Sequence, residues 1–359
     1  MSELKKENIT ELHPSIKNTS RFPTQFTHNA DIENILINNM ALVVNNWFRF
    51  QSEWIYNAYK TFKDLDKYLI LIYLIQKTFN HYSDTFLILS EKTLYDIEKF
   101  EIEKINLIEI SEELNIPKET IRRKINELNK TGFVERSGKR IIIRTGAFAK
   151  QRPVQTIKLL STFLSTVSQV LSDQNKNIIN SPVEALELEN FIRSNFTLIW
   201  KFYFRTQIPN LVEWRNFYGD LETWAVSGTV LINQMHKLRD KYKGKGVMED
   251  SEKFSNDEKF RRSYENALSK GNEITGVNAS SISEVSGIPR ATVIRKLKHG
   301  LKMGVLERDK NQLYTIKKMK SPKLKQFLQI GKTIQFRIYG FIGTFFDLYK
   351  NKDRMPKAK

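Results

Sequence analysis

"NIPKETIRRKINELNKTGFVER" (Asn115–Arg136) returns later in the chain as "GIPRATVIRKLKHGLKMGVLER" (Gly287–Arg308), 172 positions on and without a gap. Ile116/Ile288, Pro117/Pro289, Thr120/Thr292, Arg123/Arg295, Lys124/Lys296, Lys130/Lys302, Gly132/Gly304, Glu135/Glu307 and Arg136/Arg308 are identical pairs. The match extends upstream through Ile110-Ser111-Glu112 and Ile282-Ser283-Glu284 to Asn106 and Asn278. Farther back, Asp64-Leu65-Asp66 answers Asp220-Leu221-Glu222 at a spacing of 156, so the second copy carries 16 extra residues. The stretch Asp240–Asp257, rich in glycine, lysine and acidic residues, reads as the surface loop that holds them. A unit of about 150 residues used twice is too long for a solenoid repeat and predicts an internal duplication.

Hydrophobic spacing turns the repeated stretch into two short helices across a tight turn. In the second copy Ser280 or Ser281 is expected to cap a helix whose Ile282 and Val285 face inward. Gly287 supplies the left-handed residue of the turn, and the first copy has Asn115 there, the next most tolerant residue. Pro289 suits the first turn of the following helix, where its missing N–H costs nothing, and Val293 and Leu297 continue the buried stripe. Facing away are Arg290, Ala291, Ile294, Arg295 and Lys298, and in the first copy Lys118, Glu119, Arg122, Arg123 and Asn126. Gly300 replaces Leu128, which is expected to loosen the end of the second copy's helix. Thr120 and Thr292 can offer hydroxyls to a phosphate or a base edge. Two apolar strands follow in each copy, Gly132–Arg136 with Ile141–Ile143 and Gly304–Arg308 with Leu313–Ile316, forming hairpins with basic tips. Periodicity further predicts helices near 31–62, 66–80, 90–100, 109–114, 117–130 and 154–172, then 182–205, 210–218, 221–239, 257–269, 281–286, 290–302 and 324–349.

Helix, turn, helix and hairpin, carrying "IPRATVIRKL" and "GVLER", resemble the winged helix-turn-helix domain of bacterial transcriptional regulators of the MarR and IclR type. The resemblance covers roughly 109–145 and 281–317 plus a preceding helix in each unit. It implies that the second helix enters a DNA major groove while the wing tip touches backbone or minor groove. The residues so implicated are Lys118, Thr120, Arg122 and Arg123 with wing residues Lys139 and Arg140, and Arg290, Thr292, Ile294, Arg295 and Lys298 with wing residue Lys310. A major groove about 12 Å wide admits one helix, and exposed Arg or Lys can pair with guanine or phosphate.

The rest of the sequence fits a polyanionic partner. Across 359 residues the formal charge is +18, with a pI near 9.7, which favours nucleic acid first and an anionic membrane surface second. Absence of cysteine excludes disulfides and thiolate metal sites. No run approaches the ~20 apolar residues of a spanning helix, so a soluble, cytoplasmic, nucleoid-associated protein is expected. His13, His28, His81, His236 and His299 show no ligand spacing, and Gly244-Lys245-Gly246 is not a phosphate loop; neither catalysis nor a cofactor is expected. The aromatic stripes Trp47–Phe62 and Trp200–Tyr218, with Phe341, Phe345 and Phe346, read as helix packing between the units.

The expected architecture is mainly α, with two winged helix-turn-helix domains embedded in long flanking helices and related by a pseudo-two-fold duplication. Its parts are a loose arm (1–29), a first unit (30–177, winged core 66–145, following helix 154–172), a second (181–349, winged core 221–318, following helix 324–349) and a basic tail (350–359). The expected function is sequence-specific binding of double-stranded DNA by a transcriptional regulator. It would act as a covalent pseudo-dimer, or a homodimer, reading two related half-sites. A plasmid-type replication initiator and a winged-helix scaffold gripping protein remain open.

Overall fold

The computed structural model describes residues 30–84, 87–97, 99–102, 106–137, 140–144, 153–242, 276–316 and 322–355. The expected arm, the 257–269 helix and wing residue Lys139 lie outside them.

The first half opens with α1 (Ala30–Asn38) and α2 (Met40–Phe62), separated at Asn39, where a single helix was expected. Asn39 leaves helical geometry and its side-chain amide donates to the Ile35 carbonyl, 2.8 Å, which closes α1. After α2 comes α3 (Leu65–Asp84), buried along most of its length. The helix expected over 90–100 is only α4 (Glu91–Asp96), capped by Ser90. It is followed by strand β1 (Lys99–Ile102). Helices α5 (Leu107–Leu114) and α6 (Lys118–Lys130) lead to β2 (Val134–Ser137) and β3 (Arg140–Arg144). These strands make an antiparallel sheet in the order β1-β3-β2, with Phe100 opposite Ile143 and Val134 opposite the same residue. The wing therefore has a third strand, which the helical reading of 90–100 had concealed.

Helix α7 (Val154–Gln174) crosses to the second half. Two helices follow, α8 (Ala185–Ser194) and α9 (Phe196–Tyr218). A break was expected between 205 and 210, but α9 runs through it with Pro209 inside, and the interruption falls at Asn195, whose side-chain amide caps α8 through the Phe191 carbonyl at 3.0 Å. Packing on two sides overrides the proline: α9 lies against α3 and against the last helix, α13 (Pro322–Lys350). Between them come α10 (Leu221–Tyr242), α11 (Ala279–Ser286), α12 (Arg290–Lys302), and the β4 (Leu306–Arg308) and β5 (Tyr314–Ile316) hairpin. Helix α10 thus takes in Asp240–Tyr242, the start of the expected surface loop. Its Gln234 side-chain carbonyl accepts from the Ile316 N–H at 2.8 Å, pinning the hairpin to the helix.

One continuous buried cluster takes side chains from both halves. At its centre the aromatic stripes meet: Trp54 and Trp200 have ring centroids 5.0 Å apart, and Phe50 and Tyr203 5.3 Å. Tyr203 also stacks edge-on against Phe341 of α13. Polar bonds cross the same boundary, from Gln51 Nε2 to Tyr203 Oη at 2.8 Å and between the Tyr56 and Thr229 hydroxyls at 2.7 Å. No helix among the described residues is long and apolar enough to cross a membrane. Of the expected basic tail, Lys350 donates to the Asn177 carbonyl (2.7 Å) and Lys352 pairs with Glu187 (2.9 Å), so the start of that segment is exposed but held to the surface by these bonds.

Candidate nucleic-acid interface

The helix-turn-helix geometry follows from a short list of local bonds. Asn106 caps α5 by accepting from the Ile108 N–H at 2.9 Å, and Asn278 caps α11 by accepting from the Ser281 N–H at 2.9 Å. The cap of the second copy is thus Asn278, not Ser280 or Ser281, because its side chain reaches the orphan donors of the first turn from the residue outside it. At the other end, Asn115 (φ 50°) and Gly287 (φ 69°) both take the left-handed conformation that the turn requires. Ser111 Oγ donates to the Ile116 carbonyl and Ser283 Oγ to the Ile288 carbonyl, both at 2.7 Å, clamping each turn shut. Pro117 and Pro289 then stand one residue ahead of α6 and α12, with ψ 136° in both.

Behind each second helix stands an inward lysine. Lys124 of α6 pairs with Asp64, and Lys296 of α12 with Asp220 at 2.6 Å. Each aspartate also accepts from the first turn of its own helix, Asp64 from the Lys67 N–H (3.0 Å) and Asp220 from the Thr223 N–H (2.7 Å). Burial pushes the Asp220 carboxyl up, but the Lys296 ammonium and the Thr223 bonds outweigh it and hold the group below the usual carboxylate range. These lysines fix how α6 and α12 are rotated, and so which side chains face outward.

Outward on α6 are Lys118, Arg122 and Arg123, all exposed, with Thr120 half-buried. Outward on α12 are Arg290, Arg295 and Lys298, with Thr292 and Ile294 half-buried and Ile294 packed partly against the core. Lys310 is exposed at the β4–β5 tip, where Asp309 and Leu313 close the turn through a side-chain bond of 2.8 Å. Arg140 opens β3. Val285 was expected inside but is 56% exposed, since the buried positions of α11 are Ala279, Ile282 and Ser286. The expected loosening at Gly300 does not occur, because α12 runs on to Lys302. A Cβ at that position would stand 2.7 Å from Leu306 Cδ1, so the glycine admits the larger wing residue. In the first copy the corresponding pair is Leu128 with Val134, the reverse distribution of volume.

Sequence reasoning missed a contribution that crosses between halves. Arg215 near the end of α9 binds Asp66 (2.9 Å) and donates to the Asn115 carbonyl (3.1 Å), while Asn216 accepts from Asn115 Nδ2 at 2.8 Å. The end of α2 reciprocates. Lys60 lies over the other turn, its Cγ 3.1 Å from where a Cβ on Gly287 would be. Burial, then the Glu222 and Asp64 carboxylates, raise the Tyr59 hydroxyl pKa, and the Arg295 charge offsets part of that shift. At the spacing of 156, Lys60 corresponds to Asn216, so the available signal was the second alignment offset, not any local motif.

Residues 101–140, which run from β1 through α5, α6 and β2 to the start of β3, match the family model described as a DeoR-like helix-turn-helix domain. No curated protein and no solved structure matches the chain. A helix-turn-helix with its second helix outward and basic points to duplex DNA as partner and to a role in transcription regulation.

Proposed function

We propose that the chain is a sequence-specific duplex DNA-binding protein, a transcriptional regulator whose two basic helices, α6 and α12, read two related half-sites as a covalent pseudo-dimer. The observation that carries this reading is the recurrence of one set of bonds. An asparagine cap, a serine clamp across a left-handed turn and an inward lysine on an aspartate set the outward face of both helices. The DeoR-like match over 101–140 supports the first; the recurrence of the asparagine cap, serine clamp and inward ion pair supports treating 276–316 as a second winged unit of an internally repeated chain. The reading is one of binding and not of catalysis, with the wing residues Lys139, Arg140 and Lys310 near the DNA backbone.

Enrichment of duplexes from a random pool by the full-length chain tests it. The expected product contains two related, unequal elements whose centres are separated by whole helical turns of roughly 10 base pairs. Recovery of one element, or of no preferred sequence, contradicts it.

A further inference from the structure

We infer that the two heads grip DNA unequally: α12 carries most of the affinity, and Lys60, contributed by the other half of the chain, belongs to its phosphate-binding surface. This rests on the DNA-binding reading and deepens it.

The acidic residues and ion pairs of the two helices favour α12, against Arg122 in place of Ile294 and the second wing cation of the first head. Helix α6 contains Glu119 and Glu127, whereas α12 contains no acidic residue. Glu119 holds Arg122 at 2.5 Å, and Glu127 lies 3.9 Å from Arg123 and 3.0 Å from Lys67. Such exposed pairs contribute little to stability, but each puts a carboxylate where a phosphate would have to come. Among the described residues Arg290 makes a neutral bond, to Ser280 Oγ at 3.0 Å, and no ion pair. Arg295 and Lys298 form no ion pair among the described residues.

The cross-half contacts widen the difference. Beside the first turn the guanidinium of Arg215 is spent on Asp66 and the Asn115 carbonyl, and Asn216 is neutral. Beside the second turn stands Lys60, exposed, its stem laid over Gly287 just ahead of Arg290. A Cβ at 287 would crowd that stem, so the glycine serves both the left-handed turn and the lysine's approach. The second head therefore has Lys60 at the turn ahead of α12 and Arg290, Arg295 and Lys298 exposed along the helix.

The test is the affinity of the full-length chain for its pool-enriched duplex, measured over a range of salt. R290A/R295A is expected to weaken binding at least ~30-fold and R122A/R123A less than ~5-fold, where bidentate base contacts discriminate by factors of this order. K60Q is expected to weaken it several-fold and to lower the slope of log K against log salt by about 0.9, one phosphate contact. Replacing Glu119→Gln, which frees Arg122, is expected to tighten binding, a gain that a folding defect cannot imitate. Equal losses from the two arginine pairs, or an unchanged slope in K60Q, overturn the inference while leaving DNA binding intact. A wild-type chain that binds no duplex at low salt removes the reading beneath it as well.

Discussion

Lys296 and Lys124 are the cations on their helices that serve the protein and not its partner. Lys296 is almost fully buried while Asp220 keeps some contact with water, so removing the lysine leaves a partly solvated carboxylate. We expect Lys296→Met to lower stability by about 2 kcal/mol, less than the 3–5 kcal/mol of a fully buried pair, with D220N/K296M recovering part of it. Denaturant unfolding of the two singles and the double measures the coupling. Glu222 makes an opposite contribution. Burial raises its carboxyl pKa, against the Leu65 N–H it accepts at 2.9 Å, with Asp64 adding to the rise. A carboxyl raised in the folded state binds protons more readily there, so folding gains stability as pH falls from neutral through the raised value. Glu222→Gln is expected to stabilise the protein at pH 7 and to abolish that gain, read from melting temperature against pH. Asp220, depressed, acts with the other sign: its stability is present at neutral pH and is lost as pH falls through its lowered value. At Gly300, substitution by alanine drives a Cβ into Leu306 and is expected to cost about 1–3 kcal/mol. Leu306→Val in the same protein recreates the smaller wing residue of the first copy and is expected to relieve it.

At the scale of elements, the parts specified by near neighbours were legible and those specified by distant ones were not. The bounds of α6 and α12 follow from the prolines, the buried stripe and the glycines, all within a few residues. The left-handed turn was readable from Gly287 and Asn115 because few residues tolerate it. Strand β1 was not, since Lys99–Ile102 becomes a strand only through pairing with β3 some forty residues on. The break expected between 205 and 210 is absent for the converse reason: even a local breaker, Pro209, is tolerated where α9 is packed between α3 and α13. Lys124 and Lys296 were visible as identical residues, and Asp64 and Asp220 likewise, but nothing local joined them. The turn clamps give an element-scale prediction. Loss of either serine hydroxyl, S111A or S283A, removes one hydrogen bond across a turn and is expected to cost about 1 kcal/mol. Amide exchange should quicken around the affected turn and not around the other.

For the whole molecule, the shared core determines how the heads are held. Side chains of both halves form one buried cluster, and the α2 and α9 ends each rest on the opposite half's turn. The two helix-turn-helix segments are thereby carried on a common body, as the proposed pair of half-site readers would require. With +18 formal charge, binding should be strongly salt-dependent. Six to ten phosphate contacts imply a loss of about 10³–10⁵ in affinity between 50 and 200 mM salt. The measurement that bears most directly on two heads sharing one duplex is hydroxyl-radical footprinting of the full-length chain on its enriched site. The account predicts two protected patches on one face of the helix, a whole number of turns apart, with R122A/R123A clearing one and R290A/R295A clearing the other. A single patch, or two patches that fade together under R122A/R123A, would contradict it.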